Sequence, residues 1–131
     1  MNRIILLLIL TLIFTNCGTS NTYVNTPTPA NIPEDDIVRI SNDDLEYDIT
    51  IIEPGFNTWL ASTARPKGYY SQNFMETRNR LMVINWNNRV LQPQQYNSNL
   101  YEMQINYDSN TNYGYDVNYK LYNYFIYFQL T

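Results

Sequence analysis

Large apolar side chains are unevenly distributed along this chain, and that distribution limits where a core can form. They fill Ile4 to Phe14, broken only by Thr11, thin out from Gly18 to Asp36, and return at Ile37. As a helix the first run would span about 17 Å, against a hydrocarbon core of about 30 Å. That is too short for a stable spanning helix, and the run lacks the polar face of a core helix. Preceded by Met1-Asn2-Arg3, it has the make-up of the apolar region of a secretory signal peptide. From Gly18 to Asp36 the chain is mostly Gly, Ser, Thr, Asn and Pro and ends in Pro33-Glu34-Asp35-Asp36. Such a stretch reads as a flexible tether. A single core is therefore confined to about 95 residues, and a domain of that size buries about 60–70% of its unfolded surface.

Phe14-Thr15-Asn16-Cys17-Gly18 closes the apolar run and holds the only cysteine in the chain. The segment resembles a lipobox, in which the cysteine after the cleavage point receives the acyl chains. It departs from the usual pattern at Asn16, where Gly, Ala or Ser is commonest, and at Phe14, where an aliphatic is commonest. The expected organisation is a lipoprotein signal peptide over 1–16, a lipidated tether over 17–36 and a single globular domain over 37–131. Acylation at Cys17 would hold the mature chain on a membrane. Gly18 stands where Asp would retain a lipoprotein in the inner membrane, which directs the expectation to the outer membrane.

Composition excludes several chemistries. There is no histidine, hence no imidazole base, no Ser-His or Cys-His nucleophile and no His-ligated zinc or haem. One cysteine makes neither an internal disulfide nor a thiolate cluster. No cofactor is expected. Eight basic against twelve acidic residues argue against a nucleic-acid partner, since that binding is driven by excess Lys and Arg. Eight of the acids lie between Glu34 and Glu53, and five of the basic residues between Arg65 and Arg89. That separation suggests that the two halves pair with one another; two separately solvated surfaces explain it as well.

Leu45 to Ile52 alternates apolar and polar residues along most of its length, which predicts a strand with Leu45, Tyr47, Ile49 and Ile51 facing the core. Glu53-Pro54-Gly55 ends it. Asn57 is placed to cap a short helix over 58–64, and Ser71 a longer one reaching about Leu91, before Pro93. Tyr101 to Tyr107 alternates again and reads as a second strand. Asp108 to Asn112 is a turn; its calcium-loop spacing fails at Gly114 and Tyr119. The last segment fits both periods. Its β propensity favours a strand, its sixteen unpunctuated residues a helix, and a helix is the expectation taken. The fold class is α+β: a short antiparallel strand pair packed with about three helices, the alternative being a mainly β C-terminal half.

On a helical wheel, Met75, Met82, Val83, Trp86 and Val90 form one apolar stripe over 71–91, and Phe74, Leu81, Ile84 and Leu91 a second. Arg78, Asn85 and Arg89 lie between them. A helix apolar on two flanks is largely enclosed, so these arginines require partners, with Asp48 and Glu53 as candidates. The strip is either an internal ion-pair clamp, the favoured reading, or a site for an anionic ligand. Glu76 and Arg80 are spaced as an exposed helix pair.

Five segments carry a family resemblance: 51–61, 69–72, 85–89, 101–107 and 117–122, including Glu53-Pro54-Gly55-Phe56-Asn57-Thr58-Trp59 and Asn85-Trp86-Asn87-Asn88-Arg89. Together they resemble a small Gram-negative lipoprotein family, domain of unknown function 6146, over about Leu45 to Phe128. The resemblance implies a secreted, lipid-anchored single domain and favours a helix for the last segment. It implies a charged tail beyond the point where this chain stops, and it supplies no catalytic residue. Two functions follow. The first is a non-catalytic accessory domain that binds an envelope protein or glycan, which the 13 tyrosines suit. The second is a glycan- or peptidoglycan-acting enzyme using two carboxylates drawn from Glu53, Glu76, Glu102, Asp108 and Asp116. No spacing singles out a pair, so no catalytic or metal residue is assigned.

Overall fold

The computed structural model describes residues 32–131, so the apolar run, Cys17 and most of the tether lie outside the described residues. Chain order gives strand β1 (Ile37–Asn42), strand β2 (Tyr47–Ile52), helix α1 (Phe56–Ser62), helix α2 (Gln72–Val90) and helix α3 (Gly114–Phe128). This is a small α+β domain with one two-stranded antiparallel sheet and three α-helices.

The partner of β2 is the segment ahead of it. Ile37 pairs with Ile52, and the register runs to Asn42 opposite Tyr47. Asp43–Leu45 form a 3₁₀ turn closed by Glu46 at φ 51, so Leu45 leaves the expected strand and is exposed. Along β1, Val38 and Ile40 are buried and their neighbours are not, while Tyr47, Ile49 and Ile51 of β2 are half-buried on the same core. A hairpin alone cannot bury both faces, so its apolar side requires a helix. Residues ahead of Ile37 also join the folded body: Glu34–Asp36 form a 3₁₀ turn, and Glu53 N–H donates to Asp36 O at 2.8 Å. The last acids of the expected tether therefore belong to the folded body.

Tyr101–Tyr107 does not form the expected second strand. Ile105 is buried, but its backbone is satisfied by a side chain: Asn87 Nδ2 donates to Ile105 O at 2.9 Å and Ile105 N–H donates to Asn87 Oδ1 at 2.8 Å. Trp86 Nε1 donates to Met103 O at 2.9 Å, and Tyr47 hydroxyl to Asn106 O at 2.8 Å. These bonds satisfy an extended segment without any strand beside it.

Helix α1 starts two residues before the expected position. Gly55, at φ 81, turns the chain into it, and a Cβ there would stand 2.9 Å from the Tyr127 hydroxyl. Asn57 is no cap; its amide donates to Asp35 O and Ile37 O and ties α1 to β1. Helix α2 begins as expected, with Ser71 Oγ accepting from Phe74 N–H at 3.2 Å. The last segment is the helix α3, and it is the central element: Val117, Asn118, Tyr119, Leu121, Asn123, Tyr124 and Phe125 are buried where it meets α2, β1 and α1.

Candidate functional site

Beside the line where α2 meets α3 runs an open groove of about 560 Å³. Its least exposed lining is aromatic. Trp86 meets Tyr101 and Phe128 edge-on, each at 4.9 Å between centroids, and Phe125 at 6.0 Å. Such edge-to-face contacts are favoured by ring electrostatics, and the indole bond to Met103 O fixes the orientation of Trp86.

Arg78, Asn85 and Arg89 all line this groove, so the wheel grouped them correctly. The expected enclosure and clamp are absent. All three are exposed, and Asp48 and Glu53 do not reach them. Asp48 projects from the exposed side of β2. Glu53 follows β2, and partial burial raises its pKa above the usual carboxylate value. Among the described residues the one ion pair joins Lys67 and Asp116 at 2.6 Å, both exposed, so the acidic and basic halves do not neutralise each other through salt bridges. The Glu76–Arg80 pair is also not formed: Arg80 donates to Ser109 O, and Glu76 accepts from Gln72 Nε2 at 2.7 Å.

Aromatic faces hold the groove arginines in place of carboxylates. Arg89 Cζ lies 5.4 Å from the centroids of both Tyr96 and Tyr101, and Nη1 donates to the Tyr101 hydroxyl. Arg78 Cζ lies 5.5 Å from the Phe74 ring. Cation–π contacts position a guanidinium without neutralising it, and most of its five N–H donors stay available. The two arginines are eleven positions apart, about 16 Å along the helix. One small anion cannot bridge them. Tyr101, from the loop after α2, and Tyr122 and Phe128, from α3, also line it; no local pattern in the chain marks them, because only folding brings that loop and α3 beside α2.

The five acids considered for glycan cleavage lie outside the groove lining. Asp108 accepts from Asn110 N–H within the Asp108–Asn112 turn, Asp116 pairs with Lys67, and Glu102 is exposed. Glycoside cleavage requires two acids flanking one bond, and this groove holds none. No three His, Cys, Asp or Glu side chains cluster as metal ligands among the described residues. No described helix is long and apolar enough to cross a membrane. The groove therefore offers two fixed cations above an aromatic floor, which suits binding.

No curated protein and no solved structure matches the chain. One family model does match, over residues 4–131, so it includes both the groove and the segments that carry the resemblance. On that match the chain belongs to a family of unknown function, DUF6146.

Proposed function

We propose that this chain is a lipid-anchored envelope protein whose folded body is a non-catalytic docking domain. Its groove takes an acidic, partly apolar segment of another envelope protein. The observation that carries the reading is the pair Arg78 and Arg89, uncompensated by any carboxylate in an aromatic-floored groove. Their separation favours a ligand with acids spread along its length over a single carboxylate or phosphate. The apolar run Ile4 to Phe14, with Cys17 behind it, supports the anchor. Gly18 supports the outer membrane over the inner. The carboxylate-dependent enzyme is the weaker reading, since the groove lining contains no acid.

Two measurements test this. Arg78→Ala combined with Arg89→Ala is expected to release a partner that the wild-type chain retains from detergent-solubilised envelopes. Added salt should weaken the wild-type complex, since exposed charges are screened within about 10 Å at 0.1 M ionic strength. Equal retention by the double variant, or retention by peptidoglycan alone, contradicts the docking reading. For the anchor, metabolic labelling with a fatty-acid analogue is expected to mark the wild-type chain and to miss Cys17→Ala. Undiminished labelling of that variant removes the lipid from Cys17.

A further inference from the structure

Helix α2 presents a second apolar face that the described residues leave largely exposed; only Phe74, at its start, is partly covered, stacked on Tyr70 at 4.9 Å and met edge-on by Tyr122 at 6.0 Å. Phe74, Leu81, Ile84 and Leu91 are 36%, 55%, 57% and 67% exposed. With Thr77 and Asn88, also exposed, they occupy positions 74, 77, 81, 84, 88 and 91. Spacings of three and four in alternation are the first and fourth places of a seven-residue repeat, the seam of a coiled coil. The residues that α2 buries, Met75, Asn79, Val83 and Trp86, lie on the opposite side. One of two apolar faces is used inside the domain, and an uncovered apolar stripe on a folded protein marks a contact surface.

We propose that this seam pairs with the same seam of a second copy of the chain, antiparallel, about a twofold axis level with the midpoint of Leu81 and Ile84. The six residues run apolar, polar, apolar, apolar, polar, apolar, a pattern that reads the same in both directions. In that pairing Leu81 meets Ile84 of the second copy, Phe74 meets its Leu91, and Thr77 meets its Asn88. The Asn88 side chain has no hydrogen-bond partner among the described residues and can donate to the threonine hydroxyl. Sliding one copy by a heptad sets Thr77 against Leu81 or Ile84 against Asn88, so the polar layers fix the register. Arg78 and Arg80, which flank the seam, fall beside Asn85 and Asn87 of the second copy, and no like charges meet. Antiparallel helices also oppose their dipoles favourably. An isologous contact of this kind closes as a dimer.

The seam is about 26 Å long, below what a tight interface requires, so the dimer is weak and concentration-dependent. The proposal does not rest on the groove reading: Thr77, Ile84, Asn88 and Leu91 lie outside the groove lining, although Phe74 and Leu81 belong to both surfaces. Sedimentation equilibrium of the full chain is expected to show monomer and dimer. Ile84→Lys with Leu91→Lys should weaken dimerisation at least tenfold while Tm stays within a few degrees. A monomeric wild type, unchanged dimerisation of the variant, or a collapse of its Tm from an intramolecular role of the stripe each overturns the proposal. Orientation is read in a Cys17→Ser background: a mixture of Phe74→Cys and Leu91→Cys chains should form the mixed disulfide, and neither chain alone should cross-link. Cross-linking of either alone indicates a parallel pair and overturns the antiparallel one.

Discussion

Phe56→Ala is expected to cost about 3–5 kcal/mol, the usual range for emptying a fully buried phenylalanine site. Phe56 is 0% exposed and opens α1, where three elements converge. Its ring meets Tyr127 at 5.7 Å and Tyr124 at 6.0 Å, both edge-on from α3, and Trp59 of its own helix at 6.4 Å. The surroundings cannot close over the cavity. Gly55 is held at positive φ, and the Tyr127 hydroxyl is pinned to Pro54 O at 2.7 Å. Small domains have about 5–15 kcal/mol in all, so this one change removes a large share. Urea titration is the measurement, with Phe56→Leu as the volume-retaining comparison at about 1.5 kcal/mol or less. A loss for Phe56→Ala no larger than that for Phe56→Leu contradicts the docking of α1 against α3.

The parts of this fold legible in the sequence are those decided locally. Ser71 is one example: a hydroxyl that accepts from the N–H three residues on starts α2 whatever packs against it. Tyr47, Ile49 and Ile51 alternate for a local reason too, and they lie on the core side of β2. The misplaced elements were decided elsewhere in the chain. Tyr101–Tyr107 has a strand's alternation, yet Asn87 and Trp86 of α2 take its backbone bonds, and no feature within the segment announces that. Asn57 has the right chemistry for a cap but spends its amide on Asp35 and Ile37, so the turn falls to Gly55.

The candidate site divides in the same way. A helical wheel sorts residues by angle, and Arg78, Asn85 and Arg89 do share one side of α2. The wheel carries no information on which of two apolar stripes the rest of the chain will cover. The stripe containing Met75, Val83 and Trp86 was covered and that of Leu81 and Ile84 was not, so the strip between them is exposed and the expected clamp has nothing to enclose. Its aromatic floor arrives from Tyr101 and α3, which only the folded chain brings together.

The second large effect is expected at a buried polar junction, where two asparagines of similar burial should respond differently. Asn118 and Asn79 are both 0% exposed. Asn118 Oδ1 accepts from Asn79 Nδ2 at 3.1 Å and from the Tyr107 hydroxyl at 2.7 Å, while its Nδ2 donates to Gly114 O at 2.8 Å. Burial pushes the Tyr107 hydroxyl up to about 12, so at neutral pH it stays a proton donor and requires an acceptor. Asn118→Leu takes the acceptor from that half-buried donor and leaves the Asn79 amide without its side-chain partner, and each orphaned group costs up to about 1–3 kcal/mol. The expected loss is about 2–4 kcal/mol on those terms. Asn79 differs because its Oδ1 is already buried without a partner. Asn79→Leu gives up the donation to Asn118 but also removes that unsatisfied oxygen, so its cost should be the smaller, about 1–2 kcal/mol. Because each substitution strands part of the other's bonding, the double variant should cost less than the sum of the singles. A double-mutant cycle in urea reads all three values. Equal single losses, or strict additivity, would mean that Asn79 Oδ1 finds a bond in solution and that the junction is fully satisfied.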